Sequence, residues 1–342
     1  MATPRFRLLG AIREFAQQQL EQSGHEYEMR RRYALAFFQL VSHTRERYER
    51  GQVDAFMPIH EELDNLRAAL EWALYHDMIV EAAETVVRLE PFWSTRMPVT
   101  LQWLEALLAQ ADKLSPTLRA RVLGLTALLS WEMFRDPAHA RALCVASLDL
   151  YRAAGDRPGI ARALAGLAHL AMALGEINEP QTAAYLAESL QVWRSLNDGY
   201  GIAETLIIHG RLSSLQGNFE QARALMNEAL ALRRSQGQPL GIAIVLAYLS
   251  WLAFRQGNYV EMEVITAERM SLERIMGNPQ GIADCELWHG VVALWQGRPA
   301  QAAALLESSL ARLRELGEPR NVLHVLDVCA HAAQELGNVQ AA

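Results

Sequence analysis

Three sets of marker residues step along the second half of the chain at one common interval. Gly-Ile-Ala triplets stand at Gly159-Ile160-Ala161, Gly201-Ile202-Ala203, Gly241-Ile242-Ala243 and Gly281-Ile282-Ala283. Single glycines follow at Gly175, Gly217, Gly257, Gly297 and Gly337, and a third set, Gly155, Asn197, Gly237, Gly277 and Gly317, falls between units. Each series advances by 42 residues once and by 40 thereafter. Only the interval from Gly175 to Asn197 is 22 instead of 20, so the insertion is expected at Glu176-Ile177-Asn178-Glu179-Pro180. Self-similarity at this period marks a solenoid, in which each unit buries its apolar face only by stacking on its neighbours.

Each unit reads as two helices of about 17 residues. The Gly or Asn closing the second helix suits the left-handed C′ conformation that a β-carbon disfavours. Pro158, Pro239, Pro279 and Pro319 follow within a few residues, in the first turn of the next helix, where a missing N–H does no harm. Asn218 and Asn258 read as N-caps, with Gln221 and Glu261 three residues on approximating a capping box. Apolar residues between these stops keep helical spacing, as in Ala222, Leu225, Met226 and Ala229, and no strand alternation survives. The expected fold is all-α, a right-handed α-solenoid of helical hairpins.

The internal columns resemble the tetratricopeptide pattern. Gly210, Gly217, Phe219, Ala222 and Ala229 keep that family's small-residue and aromatic spacings, and Gly290, Gly297, Ala302 and Ser309 repeat them. Small residues are needed there because the paired helices approach closely. The usual tetratricopeptide period is about 34 residues, so each hairpin here is longer; HEAT-type repeats share the longer period but not this Gly-aromatic-Ala pattern.

Composition narrows the function. A hydrophobic content of 51% is globular, and a formal charge of −7 lacks the basic surplus of a general nucleic-acid binder. Cys144, Cys285 and Cys329 fall within predicted helices, match no zinc spacing and read as reduced core residues. No apolar run reaches the roughly 18 residues of a membrane span, and Arg5, Arg7, Arg13 and Glu14 interrupt what would be a signal peptide's apolar core. A cytoplasmic protein without membrane contact is expected.

Residues 1–24 resemble the closing segment of the winged-helix subdomain that follows the nucleotide-binding module of STAND-type regulators. The likeness rests on Arg5 to Ala16, which fit that family's R-[FY]-R-L-L-x-x-I-R-E-[FY]-A, with Gly10-Ala11 at the open positions. A short strand at Arg5 to Leu8 followed by an amphipathic helix is expected; the plainer alternative is a simple N-terminal helix. Residues 25–115 read as a helical connector, with one long helix from Glu26 to Arg50 ended by Gly51 and another opened by Pro58. Its Glu62-Leu63-Asp64-Asn65-Leu66-Arg67-Ala68-Ala69-Leu70-Glu71-Trp72-Ala73, with Phe92-Trp93 and Trp103 to Leu108, resembles the segment joining winged helix to repeats in the same regulators. Arg96-Met97-Pro98 departs from their usual Arg-Gly turn. Asp64, Asn65 and Arg67 are expected to lock two helices together, the alternative being ordinary surface.

Residues 116–342 hold the repeats: a degenerate first unit over 116–154, four fuller ones, and an incomplete last unit from about Pro319 to Leu336 and Gly337-Asn338. Val322, Leu323, Val325, Leu326 and Val328 have no second helix to cover them there. Burying each is worth roughly 1.5–3 kcal/mol, which favours docking on a partner or self-association through this end.

Motifs for chemistry are missing. The chain contains no G-x4-G-K-[ST], H-E-x-x-H, C-x-x-C or G-x-S-x-G, so no enzymatic activity, metal or cofactor is expected. The ten histidines are scattered. In tetratricopeptide superhelices the first helix of each hairpin lines the concave face. Carried over, that geometry places Arg162, His169 and Arg211 in a basic patch beside an aromatic patch of Trp251, Phe254 and Trp295, with Arg255 adjoining. Such a groove suits a peptide, an acidic segment or a flat ligand. The competing reading packs these aromatics between hairpins as core and leaves the arginines solvated.

Taken together, the resemblance implies the sensor arm of a STAND-type regulator of the kind fused to LuxR-type or SARP-type transcription factors. It would be a non-catalytic scaffold binding a protein, a peptide or a small-molecule inducer. ATP would belong to a nucleotide-binding module that is absent from this sequence, and nucleic acid would be touched only indirectly. The alternative is a free-standing tetratricopeptide adapter or peptide receptor.

Overall fold

The computed structural model describes residues 10–50, 52, 55, 57–90, 97–134, 136–315, 326 and 330. Every element is a helix. α1 (Gly10–Gln22) comes first, and the connector comprises α2 (Glu26–Glu49), α3 (Met57–Glu61), α4 (Leu63–Leu74), α5 (Ile79–Arg88) and α6 (Met97–Leu108), closed by a 3₁₀ turn at Ala111–Lys113. Five hairpins follow: α7 (Pro116–Phe134) with α8 (Pro137–Ala154), α9 (Arg157–Ala173) with α10 (Pro180–Leu196), α11 (Gly199–Leu215) with α12 (Phe219–Ser235), α13 (Pro239–Arg255) with α14 (Tyr259–Met276), and α15 (Pro279–Trp295) with α16 (Pro299–Glu315). This is a right-handed α-solenoid of tetratricopeptide-like hairpins. The expected strand at Arg5 to Leu8 lies outside the described residues, as does most of the incomplete last unit. Of that unit, Leu326 is helical and exposed.

The stops and starts follow from the sequence. Gly155, Asn197, Gly237 and Gly277 adopt left-handed conformations with φ of 66°, 53°, 61° and 62° after the second helices. Asp156 and Asp198 then cap the next helices, accepting from the backbone N–H of Gly159 and Gly201 at 3.0 and 2.9 Å, and Asp136 caps α8 inside the first hairpin, accepting from His139 N–H at 3.0 Å. Asn258 caps α14, accepting from Glu261 N at 3.2 Å, and its amide reaches the Glu261 carboxylate at 2.9 Å. Asn218, expected to do the same for α12, makes no side-chain capping bond. The inserted residues lie where the spacing put them, in the α9–α10 link, which runs over 174–179 while the later links hold three residues each.

The triplet glycines serve a different purpose. A β-carbon at Gly159, Gly201, Gly241 or Gly281 would collide with the side chain eight residues earlier, respectively Tyr151, Trp193, Arg233 and Glu273. The third residue of each triplet, Ala161, Ala203, Ala243 or Ala283, is at most 1% exposed. Against this small surface the second helices come close enough for Ser189 Oγ to donate to Ala161 O at 2.8 Å and Ser309 Oγ to Ala283 O at 2.7 Å. Gly210 and Gly290 likewise admit Met226 and Leu306 of the partner helices.

First helices of successive units touch one another, α7 with α9, α9 with α11 and α11 with α13, so they form the inner side of the curved stack. Second helices are joined instead by exposed ion pairs: Arg152 with Glu188 at 3.6 Å, Arg194 with Glu228 at 3.0 Å and Arg234 with Glu268 at 2.6 Å. The connector shares its core with the first hairpin, since Val122, Leu125 and Leu129 of α7 pack among Leu66, Leu70, Ala82, Val86 and Leu104. Asn65 ties α4 to α2, accepting from the Tyr33 hydroxyl at 2.9 Å and donating to Glu62 at 2.6 Å. Asp64 is exposed, and Arg67 keeps a buried Nε without an acceptor among the described residues.

Candidate functional site

The seven residues singled out from the sequence fall on the inner side in two groups. Arg162 and His169 of α9 line one cavity of about 130 Å³ between the first two hairpins. Arg211 of α11 stands beside His169, and its positive charge, after burial, helps hold that imidazole's pKa down to about 4. His169 therefore enters as a neutral ring and not as a cation, and the basic character rests on Arg162, Arg211 and a residue the repeat pattern did not single out, Arg121 of α7. The Arg121 guanidinium sits 3.5 Å from both Val87 O and a Glu90 carboxylate oxygen. Burial, and then the like charge of Arg162, lower its pKa.

The second group is a strip of alternating cations and rings. Arg211 lies over Tyr248 at 5.1 Å, Arg211 and Trp251 line one small crevice, and Arg255 lies 5.0 Å over Trp251 and 5.9 Å over Phe219. Phe254 turns inward, 5.3 Å from Trp288 and 6.3 Å edge-on to Tyr259. Tyr259 stacks on Trp295 at 5.2 Å. Trp251 and Phe254 pack on the buried cluster around Trp288 and Val291, whereas Trp295 is 42% exposed. Two of the aromatics thus contribute to the core between hairpins, and Trp295 faces solvent.

A partly buried polar cluster fixes the connector to the same inner wall. The Tyr48 hydroxyl, at the end of α2, is hydrogen-bonded to Tyr200 of α11, with Arg45, Glu204 and Arg233 close enough to act on their ionisation. Burial dominates, raising the pKa of both phenols. Arg233, 1% exposed, pairs with Glu204, donates to Gln238 at 2.8 Å and lies 4.2 Å over the Tyr200 ring. Its two terminal nitrogens are paired, which offsets much of its desolvation, while its Nε is buried without an acceptor among the described residues. One unit on, Arg269 pairs with Glu273 at 3.3 Å and with Asp284. Sequence reasoning missed these buried arginines because each stands in a column that other units fill differently, Tyr151, Trp193 and Glu273 at the place of Arg233 and Ser147, Ser189 and Ala229 at that of Arg269.

Cys144 and Cys285 are free and buried, and burial pushes their thiols up to about 11 and about 12. Among the described residues no helix is long and apolar enough to cross a membrane, and no three His, Cys, Asp or Glu side chains gather as metal ligands would.

No family model matches the chain. Over 223 residues it is 26% identical to a Mycobacterium bovis protein provisionally named an HTH-type transcriptional regulator; the match covers 63% of this chain and 25% of that protein. The chain thus matches about a quarter of the length of this relative. Among solved structures, the Rap conjugation gene regulator of plasmid pLS20, in complex with the Phr* peptide, superposes with a TM-score of 0.65 at 12% identity, covering 90% of this chain and 91% of that one. A STAND protein with a tetratricopeptide repeat sensor from Pyrococcus horikoshii superposes with a TM-score of 0.59 at 16% identity, covering 85% and 43%. At these identities the likeness concerns the fold.

Proposed function

We propose that the chain is the sensor arm of a STAND-type transcriptional regulator of the LuxR- or SARP-associated kind, working in the cytoplasm as a non-catalytic scaffold. On this reading an effector, a peptide or a small molecule, settles on the inner wall of the hairpins. The connector relays that state to an ATPase and DNA-binding region elsewhere on the polypeptide, where ATP is handled and nucleic acid touched.

The observation that carries this reading is the attachment of α2 to the inner wall through Tyr48 and Tyr200. A ligand that displaces α11 must also disturb the end of the connector helix. Coupling of this kind requires only that the ligand bind two arrangements unequally. The mycobacterial relative adds weight, since its matched quarter lies in a protein named as an HTH-type transcriptional regulator.

A free-standing peptide receptor is the second reading, favoured by the end-to-end match with the peptide-bound Rap regulator. Immunoblotting source cells with antiserum to this chain separates the two. A native species far larger than the calculated 38.3 kDa is the expected result. A band at that mass overturns the sensor-arm reading in favour of the receptor.

A further inference from the structure

Four first helices can be compared at one equivalent position. Where α11, α13 and α15 carry Ile208, Tyr248 and Trp288, α9 carries Gly166. A β-carbon built on Gly166 would meet nothing within 4 Å. Beside this missing side chain lies the 130 Å³ cavity, whose apolar lining includes Leu125, Leu128, Cys144, Leu170 and Ile208. A cavity of this size and character holds a guest roughly as large as a benzene ring.

Its polar lining is unevenly served. Ser147 is committed, donating to Ala120 O at 2.7 Å. Arg121 is not: its two contacts, at 3.5 Å, are at the outer limit for hydrogen bonds, and its Nε is buried without an acceptor among the described residues. Buried donors are normally satisfied, so this Nε can take a further acceptor. Arg162 makes no hydrogen bond or ion pair among the described residues. Glu90 is the single carboxylate on the lining among the described residues. Among the described residues of the lining, two guanidinium charges thus stand against one carboxylate beside an apolar space.

We propose that this cavity binds a monocarboxylate whose apolar body fills the space opposite Gly166 while its carboxylate pairs with Arg162 and Arg121. The planar oxygens of a carboxylate match the guanidinium fork, and one negative charge matches the surplus. A free short-chain acid and the C-terminal residue of a peptide share this chemistry. The assignment deepens the sensor reading and rests on it for its biological meaning.

Titration calorimetry on the whole chain tests it, with hexanoate, hexanol and acetate as small probes and Gly-Gly-Phe as free acid or amide. Saturable binding of an acid, at least tenfold tighter than hexanol, acetate or the amide, is expected. Hexanoate binding identifies a free acid as the source; binding of the peptide acid alone identifies a C-terminus. Arg162→Gln, a change at an exposed site, should weaken the bound acid at least tenfold. Gly166→Tyr, which restores the side chain of the equivalent position on α13, should abolish binding without lowering the melting temperature. Failure of both acids, equal binding of hexanol, or undiminished binding by Arg162→Gln or by folded Gly166→Tyr overturns the assignment. None of these results touches the sensor-arm reading, which the native size of the gene product decides separately.

Discussion

Trp193 occupies the space that a side chain on Gly201 would need: a β-carbon there would fall inside the indole itself. The ring, 5% exposed, closes the joint between one hairpin and the next. Gly201 is helical and keeps an ordinary φ, so its role is clearance and not backbone freedom. Gly201→Ala should therefore cost about 1–3 kcal/mol by overpacking, read as a lower melting temperature. Gly166→Ala, in open space, should be neutral or stabilising by up to about 1 kcal/mol, because alanine is the better helix former. Equal effects at the two sites would refute the clearance argument.

Arg233 is the cation most dependent on its surroundings. Arg233→Ala leaves Glu204 and Gln238 without their shared donor and uncovers the Tyr200 ring, and should destabilise by about 3–5 kcal/mol. Arg233→Met keeps the stem that lies over Gly241 and should cost markedly less. Urea unfolding of the two variants decides whether charge or packing dominates.

Tyr48→Phe removes one hydroxyl from the link between α2 and α11. A loss of about 1 kcal/mol is expected. The more telling readout is hydrogen exchange: amides in the last turns of α2 should exchange faster, while those of α14 and α15 stay unchanged.

The imidazole of His169 gives a pH signature. Burial, assisted by Arg211, holds its pKa near 4, against an ordinary 6.5. The unfolded chain then binds the proton first, so stability should fall as pH drops from about 6.5 towards 4, by something on the order of 2–3 kcal/mol. In His169→Gln this part of the acid slope should vanish, measurable as melting temperature against pH.

Trp251 and Trp295 should separate cleanly. Trp251→Ala opens a gap against the cluster around Trp288 and should cost about 2–4 kcal/mol. Trp295→Ala, at an exposed site, should stay within about 1 kcal/mol. If Trp251→Ala leaves the melting temperature intact, Trp251 belongs to a ligand surface and not to the core.

Period and punctuation were legible in the sequence because they arise from backbone constraints that act locally. A left-handed Gly155 or Asn197 and a proline at Pro158 or Pro239 leave the chain few alternatives. The inner placement of Arg162, His169 and Arg211 followed from the same register. The sequence could not disclose the state of His169, since its neutrality depends on burial. Arg121 was hidden because it lies in the degenerate first unit, and Tyr48 because the connector has no repeat to align it with Tyr200. Gly166 was within reach: setting it beside Ile208, Tyr248 and Trp288 reveals the missing bulk.

The contrast between the two edges of the stack has a mechanical consequence. On the inner edge helices touch one another directly, whereas on the outer edge they are joined by solvent-exposed rungs such as Arg194–Glu228 and Arg234–Glu268. Salt screens such pairs and leaves apolar contact largely intact. The solenoid is thus a laminated strip with one stiff and one compliant edge, whose curvature should yield to ionic strength before any hairpin melts.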